Sequence, residues 1–212
     1  MLARAAAIPD APFAGPGLAL VERPHTPKYV VACAGAAARA IAASMAAETP
    51  GQLLACSPGT VVHGQRCTTL WLRPDRWLVI GADPEGRSTL EDWLRRVLAR
   101  SGGVLVDVSD GEVELDVLGA RARQVLARYC ALDLDPRVFG RTSAARTLVA
   151  GIECVLYGRP VDDGVALLVP RSCALYLWRR LRDVAVRIDD GGDCMAAILP
   201  EAPAARGGPC PT

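Results

Sequence analysis

Lysine is almost missing from this chain: among its 24 basic residues, Lys28 is the only one. A Schiff-base mechanism or a phosphate-binding loop would have to use it, yet it opens a strand-like run and follows no glycine-rich loop, so neither is supported. Histidine occurs twice, at His25 and His63, in a proline-flanked segment and a loop. A dyad, a triad or a zinc site built on histidine needs one of them beside a nucleophile or carboxylate, and both read as plain loop residues. No stretch reaches the ~18 uninterrupted apolar residues of a membrane span. The first residues are broken by Arg4 and Pro9 and lack the apolar core of a secretion signal. The net charge of +1 leaves no field to hold a polyanion, so neither nucleic acid nor a membrane is an expected partner.

There are 8 cysteines, at Cys33, Cys56, Cys67, Cys130, Cys154, Cys173, Cys194 and Cys210, but no two form a C-x-x-C pair. The spacing fits neither a zinc knuckle nor a thioredoxin-like pair, and reduced, mostly buried thiols in a cytoplasmic protein are the expectation. Gly15-Pro16-Gly17 precedes the first expected strand, so it is no dinucleotide cradle. Trp71, Trp77, Trp93 and Trp178 fall at core spacing rather than as a cofactor platform.

What is present is a chain of 212 residues, 51% hydrophobic and 22% charged. That is enough for one well-buried domain or two half-domains sharing a core. Residues 1–17 and 189–212, rich in alanine, proline and glycine, read as flexible arms around a body over residues 18–188. The β-branched run at 28–33 predicts a strand, and the alanine-rich 34–48 a helix. Strands at 67–72 and 76–81 flank the turn Arg73-Pro74-Asp75 as a hairpin. The helix over 88–101 has Ser88 as N-cap and Glu91 closing a capping box. Strands at 104–108 and 112–117 follow, then a helix over 120–130, strands at 144–149, 152–157 and 165–169, and a helix over 171–183. Residues 28–101 and 112–183 thus share one succession of strand, helix, strand pair and helix. This predicts an α+β fold of repeated split β-α-β, ferredoxin-like units.

Two places concentrate charge. Asp107 and Asp110 flank Ser109 at a turn, where an acid/base pair is conceivable but capping of the turn is the simpler expectation. Glu112, Glu114 and Asp116 alternate with apolar residues, which predicts a strand with its acidic face in solvent or toward a partner.

Read in order, several stretches resemble a known family: Gly17-Leu18-Ala19-Leu20, Glu22-Arg23-Pro24, the hairpin Trp71-Leu72-Arg73-Pro74-Asp75-Arg76-Trp77-Leu78, Asp107-Val108-Ser109-Asp110, Leu132-Asp133-Leu134-Asp135-Pro136, and Val169-Pro170-Arg171-Ser172. The set resembles the gamma subunits of heterotetrameric sarcosine oxidases, themselves similar to the folate-binding domain of aminomethyltransferases. The resemblance implies that fold and a non-catalytic subunit, chemistry lying on the alpha, beta and delta partners, chiefly the large alpha subunit. It implies no catalytic, cofactor-binding or metal-binding residues in this chain, and FAD, FMN, NAD, zinc and tetrahydrofolate on the partner subunits. The substrate of such an assembly would be sarcosine or a related N-methyl amine. The alternative is a free-standing folate-dependent aminomethyltransferase, which would need the turn at Asp107 and Asp110 as a proton relay.

Overall fold

The computed structural model describes residues 6–9, 11–23, 25–33, 37–48, 54–55, 57–82, 85–160 and 163–189. The elements are β1 (Phe13–Gly15), β2 (Leu18–Arg23), β3 (Lys28–Cys33), α1 (Ala37–Glu48), β4 (Val61–His63), β5 (Cys67–Arg73), β6 (Arg76–Gly81), α2 (Arg87–Ser101), β7 (Gly103–Asp107), β8 (Glu112–Leu118), α3 (Ala122–Ala127), β9 (Ala144–Val149), β10 (Ile152–Gly158), β11 (Val165–Pro170) and α4 (Arg171–Asp189). They build two antiparallel sheets, β4-β5-β6-β3-β7 and β1-β2-β8-β11-β10-β9.

The two sheet orders are the same order written twice. If β3 is matched to β8, β6 to β11, β5 to β10 and β4 to β9, each unit is a three-strand meander beside its own first strand. The units differ in how they close: β7 follows α2 and pairs with β3, whereas the equivalent place beside β8 is taken by β2, from ahead of both units. The expected repeat of split β-α-β units is therefore present.

Alternation along the strands sorts side chains into three layers. Tyr29, Val31, Trp77 and Val79 face α1 and α2, meeting Ile41, Met45, Trp93 and Leu94. Val113, Leu115, Val117, Leu156 and Leu167 face α3 and α4, meeting Val125, Leu126, Leu177 and Trp178. Between the sheets, Leu70, Leu78 and Ile80 pack against Val155, Tyr157, Ala166 and Leu168. Each fully buried large side chain contributes about 1.5–3 kcal/mol, so this middle layer binds the two units into one body.

Several expectations need correction. The chain joins the body ahead of residue 18: Phe13–Gly15 pair with β2, and Ile8 is core. There the Glu22 carboxylate accepts the backbone N–H groups of Ala7 and Ile8 at 2.8 and 2.9 Å. The capping box is not formed, because α2 starts one residue earlier behind Gly86 with no side-chain cap, and the Glu91 carboxylate is taken by Arg95 and the Tyr29 hydroxyl. Helix α3 is short, since its last turn tightens onto i−3 bonds, Arg128 to Val125 and Tyr129 to Leu126. Helix α4 runs six residues past its expected end, to Asp189. The arm expected over 189–212 lies, from residue 190, outside the described residues.

Candidate functional site

The strand over Glu112–Leu118 is central, paired with β2 on one side and β11 on the other. Two of its three acidic residues do not face solvent: the register sets Asp116 beside Ala166 and Glu114 beside Leu168, both middle-layer residues. Glu114 is 1% and Asp116 4% exposed, correcting the sequence expectation. The strand alternates as expected, but its acidic face is buried, because a second sheet covers it.

Cations from distant strands answer these carboxylates. Arg23, at the end of β2, lies 3.6 Å from Glu114 Oε1 and 3.9 Å from Asp116 Oδ2. The Arg159 guanidinium contacts Asp116 Oδ2 directly, and the Tyr157 hydroxyl donates to Glu114 Oε1 at 2.6 Å. Lys28, at the start of β3 in the opposite sheet, is 2% exposed and donates its Nζ to the Thr26 carbonyl at 2.9 Å. Burial lowers the Lys28 pKa, with Glu114 and Glu112 pulling it back up. Burial likewise lifts Asp116 to about 6 against the pull of Arg159, and lifts Tyr157 well above its ordinary value, helped by Glu114. Three carboxylate oxygens, Glu112 Oε2, Glu114 Oε2 and Asp116 Oδ1, are buried without a hydrogen-bond partner among the described residues. Such a network costs desolvation energy but penalises wrong sheet pairings, since breaking any pair strands a charge.

The turn at Asp107, Ser109 and Asp110 is built as a cap. Asp107 Oδ1 accepts both the Ser109 N–H at 2.9 Å and the Ser109 hydroxyl at 2.6 Å, while Oδ2 accepts from Arg87 at 2.5 Å. The Ser109 oxygen accepts the Lys28 N–H at 2.8 Å. Burial pushes the Asp107 pKa up, but these hydrogen bonds outweigh it and hold the carboxyl below the ordinary aspartate value. A carboxylate so engaged is a poor base and a good strut. Asp110 is exposed.

His63 is not a loop residue: it ends β4 and bridges the two halves. Its Nε2 lies 3.1 Å from the Arg141 carbonyl and 3.0 Å from the Gly158 carbonyl, so Nε2 carries the hydrogen and Nδ1 accepts from the Thr68 hydroxyl. His25 sits in an exposed turn with positive φ. Trp77, Trp93 and Trp178 are core as expected, whereas Trp71 is half-buried and lines an apolar groove of about 410 Å³ with Trp77, Ala42 and Leu54. Cys33, Cys67, Cys130, Cys154 and Cys173 are in no disulfide, and burial pushes Cys67 and Cys154 up to about 12. Among the described residues, no group of three His, Cys, Asp or Glu side chains is placed to hold a metal ion, and no helix is long and apolar enough to cross a membrane.

Two split β-α-β units packed sheet to sheet define the class, a folate-binding-domain-like α+β protein. A solved glycine cleavage system aminomethyltransferase T from Bartonella henselae superposes with TM-score 0.59 at 15% identity, covering 78% of this chain and 45% of that one, which is a likeness of fold. Within the class, the sequence pattern of the Sarcosine oxidase, gamma subunit family matches residues 32–187, and the chain belongs to that family. It is 35% identical over 121 residues to a sarcosine oxidase subunit gamma from an Arthrobacter species, covering 56% of this chain and 55% of the relative. A second such subunit, from Corynebacterium strain P-1, is 35% identical over 112 residues, covering 52% of this chain and 54% of the relative. The matches thus span about half the length of these curated relatives. A chain of the heterotetrameric sarcosine oxidase from Corynebacterium strain U-96, solved with pyrrole 2-carboxylate, superposes with TM-score 0.71 at 26% identity, covering 83% of this chain and 88% of that one.

Proposed function

We propose that this chain is the gamma-type subunit of a heterotetrameric, flavin-dependent oxidase of sarcosine or a related N-methyl amine, and that it packs chiefly against the large alpha subunit beside the beta and delta subunits. The observation that carries this reading is the superposition on a chain of a heterotetrameric sarcosine oxidase over more than four fifths of both chains. FAD, FMN, NAD, zinc and tetrahydrofolate belong on the partner chains in this reading, and the assembly is cytoplasmic. Its support within the molecule is the use made of polar groups. Asp107, Ser109, Glu114, Asp116 and Tyr157 are spent on one another, on backbone or on arginines, as a scaffold spends them. The free-standing aminomethyltransferase reading would make Asp107 a proton relay, and both of its oxygens are already engaged by Ser109 and Arg87.

Co-expression with candidate flavoprotein chains, followed by sedimentation of the lone chain and of the mixture, tests the reading. The lone chain should lack the visible absorbance of flavin and self-associate, and the mixture should sediment as one defined complex. A stable monomer without affinity for any flavoprotein chain, or one that retains a stoichiometric yellow cofactor, would overturn it.

A further inference from the structure

Among the described residues, four strands lie at the edges of the two sheets, and three of them are guarded. β1 and β4 are only three residues long. β9 carries Arg146 in an ion pair with Glu153 and is bridged at both ends, Ser143 to Thr60 and Val149 to Cys130. β7 has none of these devices. Its sequence is Gly103-Val104-Leu105-Val106-Asp107, without proline or lysine and without a bulge against β3. Val104 is 60% and Val106 48% exposed. An exposed apolar edge of this kind is a template for a strand of another chain unless something covers it.

The register fixes what the edge presents. Val106 lies opposite Val30 and Val104 opposite Ala32, so the two valines continue the sheet face that forms the middle layer further in, while Leu105, opposite Val31, packs against the helix-side core. The Val108 N–H donates to the Lys28 carbonyl at 2.9 Å. In an antiparallel pair every second residue bonds across, so Val106 and Val104 bond to β3, and the N–H and C=O groups of Gly103, Leu105 and Asp107 point away from it. Among the described residues nothing pairs with these outward groups. The internal repeat identifies the missing neighbour: β7 stands to β3 as β2 stands to β8, and β2 carries β1 antiparallel on its outer side, with Phe13 packed on the core. In the five-stranded sheet the place corresponding to β1 is vacant among the described residues.

We propose that this place is filled by an extended segment of another chain of the oxidase assembly, antiparallel to β7, bonded to the Leu105 backbone and apolar on both faces. The inference rests on the subunit reading. Asp107, the one charge of the strand, is already paired with Arg87, so the edge recruits no ion and the incoming segment needs none. A second copy of this chain is the poorer occupant. An edge of five residues is about 17 Å long and roughly 10 Å thick, a small part of the ~800 Å² per partner of a stable interface. Two such edges alone would not hold two copies together, whereas one edge serves as part of a wider contact with a larger chain.

Residue-resolved hydrogen exchange on the dilute lone chain and on the purified complex tests this. The Leu105 and Asp107 amides should exchange at least tenfold more slowly in the complex, while those of Val104 and Val106, bonded to β3, should be protected in both states. Val104→Lys combined with Val106→Lys changes two exposed side chains, so it should leave the urea midpoint unchanged and weaken assembly by tenfold or more. Leu148→Lys, at a position 58% exposed on β9, should leave assembly as it is. Fast exchange of Leu105 and Asp107 in a complex that does form would overturn the strand proposal and leave the subunit reading standing, as would a double lysine variant that assembles like the parent. Absence of any complex would overturn both. Protection of these amides in the concentrated lone chain but not in the complex would assign the edge to a second copy and overturn the proposal equally.

Discussion

Ser109 joins two distant parts of the chain with one oxygen, which accepts the buried Lys28 N–H while its hydrogen goes to Asp107. Ser109→Ala leaves that N–H without its acceptor, and the expected loss is about 1–3 kcal/mol in a urea titration. Asp107→Ala keeps the serine but frees it, and should lose about 1 kcal/mol and folding yield, with turnover of any assembled complex unchanged. Loss of turnover by orders of magnitude at normal assembly would return the turn to acid/base chemistry. Asp116 makes a second prediction at this scale. Its folded pKa of about 6 stands above the ordinary 3.8, so between these values the folded state holds a proton that the unfolded state has released. Its contribution therefore favours folding at the acid end and is lost as pH rises through about 6, by up to about 3 kcal/mol. Urea midpoints from about pH 4.5 to 6.5 should show this decline in the parent and not in Asp116→Asn. Identical profiles would place the titration elsewhere.

Among the elements, two glycines in the left-handed region separate two kinds of cost. Gly102 closes α2 at φ 73°, its N–H bonded to the Leu98 carbonyl, with open space where a Cβ would go. Gly102→Ala should cost about 1 kcal/mol, the conformational term alone. Gly119, at φ 98°, links β8 to α3, and a Cβ there would overlap the Gly17 carbonyl that accepts the Arg121 N–H. Gly119→Ala should lower the melting temperature much further, and equal losses at the two sites would refute the overlap argument. Most elements were legible because their signals are local. Lys28–Cys33, Arg76–Gly81 and Ala144–Val149 fall where β-branched runs and turn residues put them. What escaped was settled over long range. Phe13–Gly15 and Leu18–Arg23 are strands because β8 has a vacant edge, which no local pattern announces. The burial of Glu114 and Asp116 depends on Arg23, Arg159 and Lys28 arriving from other strands, and on a second sheet that alternation cannot reveal.

Across the whole molecule, the middle layer makes the two units interdependent, and the only lysine sits inside it at 2% exposure. An acylating reagent that seeks lysine amines finds none on the folded surface. Modification of Lys28 must wait until the sheets separate, so its rate counts openings of the entire body and not loop fluctuations. One peptide followed by mass spectrometry then becomes a clock for global opening: slow in native buffer, fast in urea, and slower again when a binding partner stabilises the folded chain. Rapid labelling in native buffer would show that the sandwich parts without unfolding. A protease specific for lysine should behave in the same way, sparing the folded chain and cutting the opened one at a single internal bond.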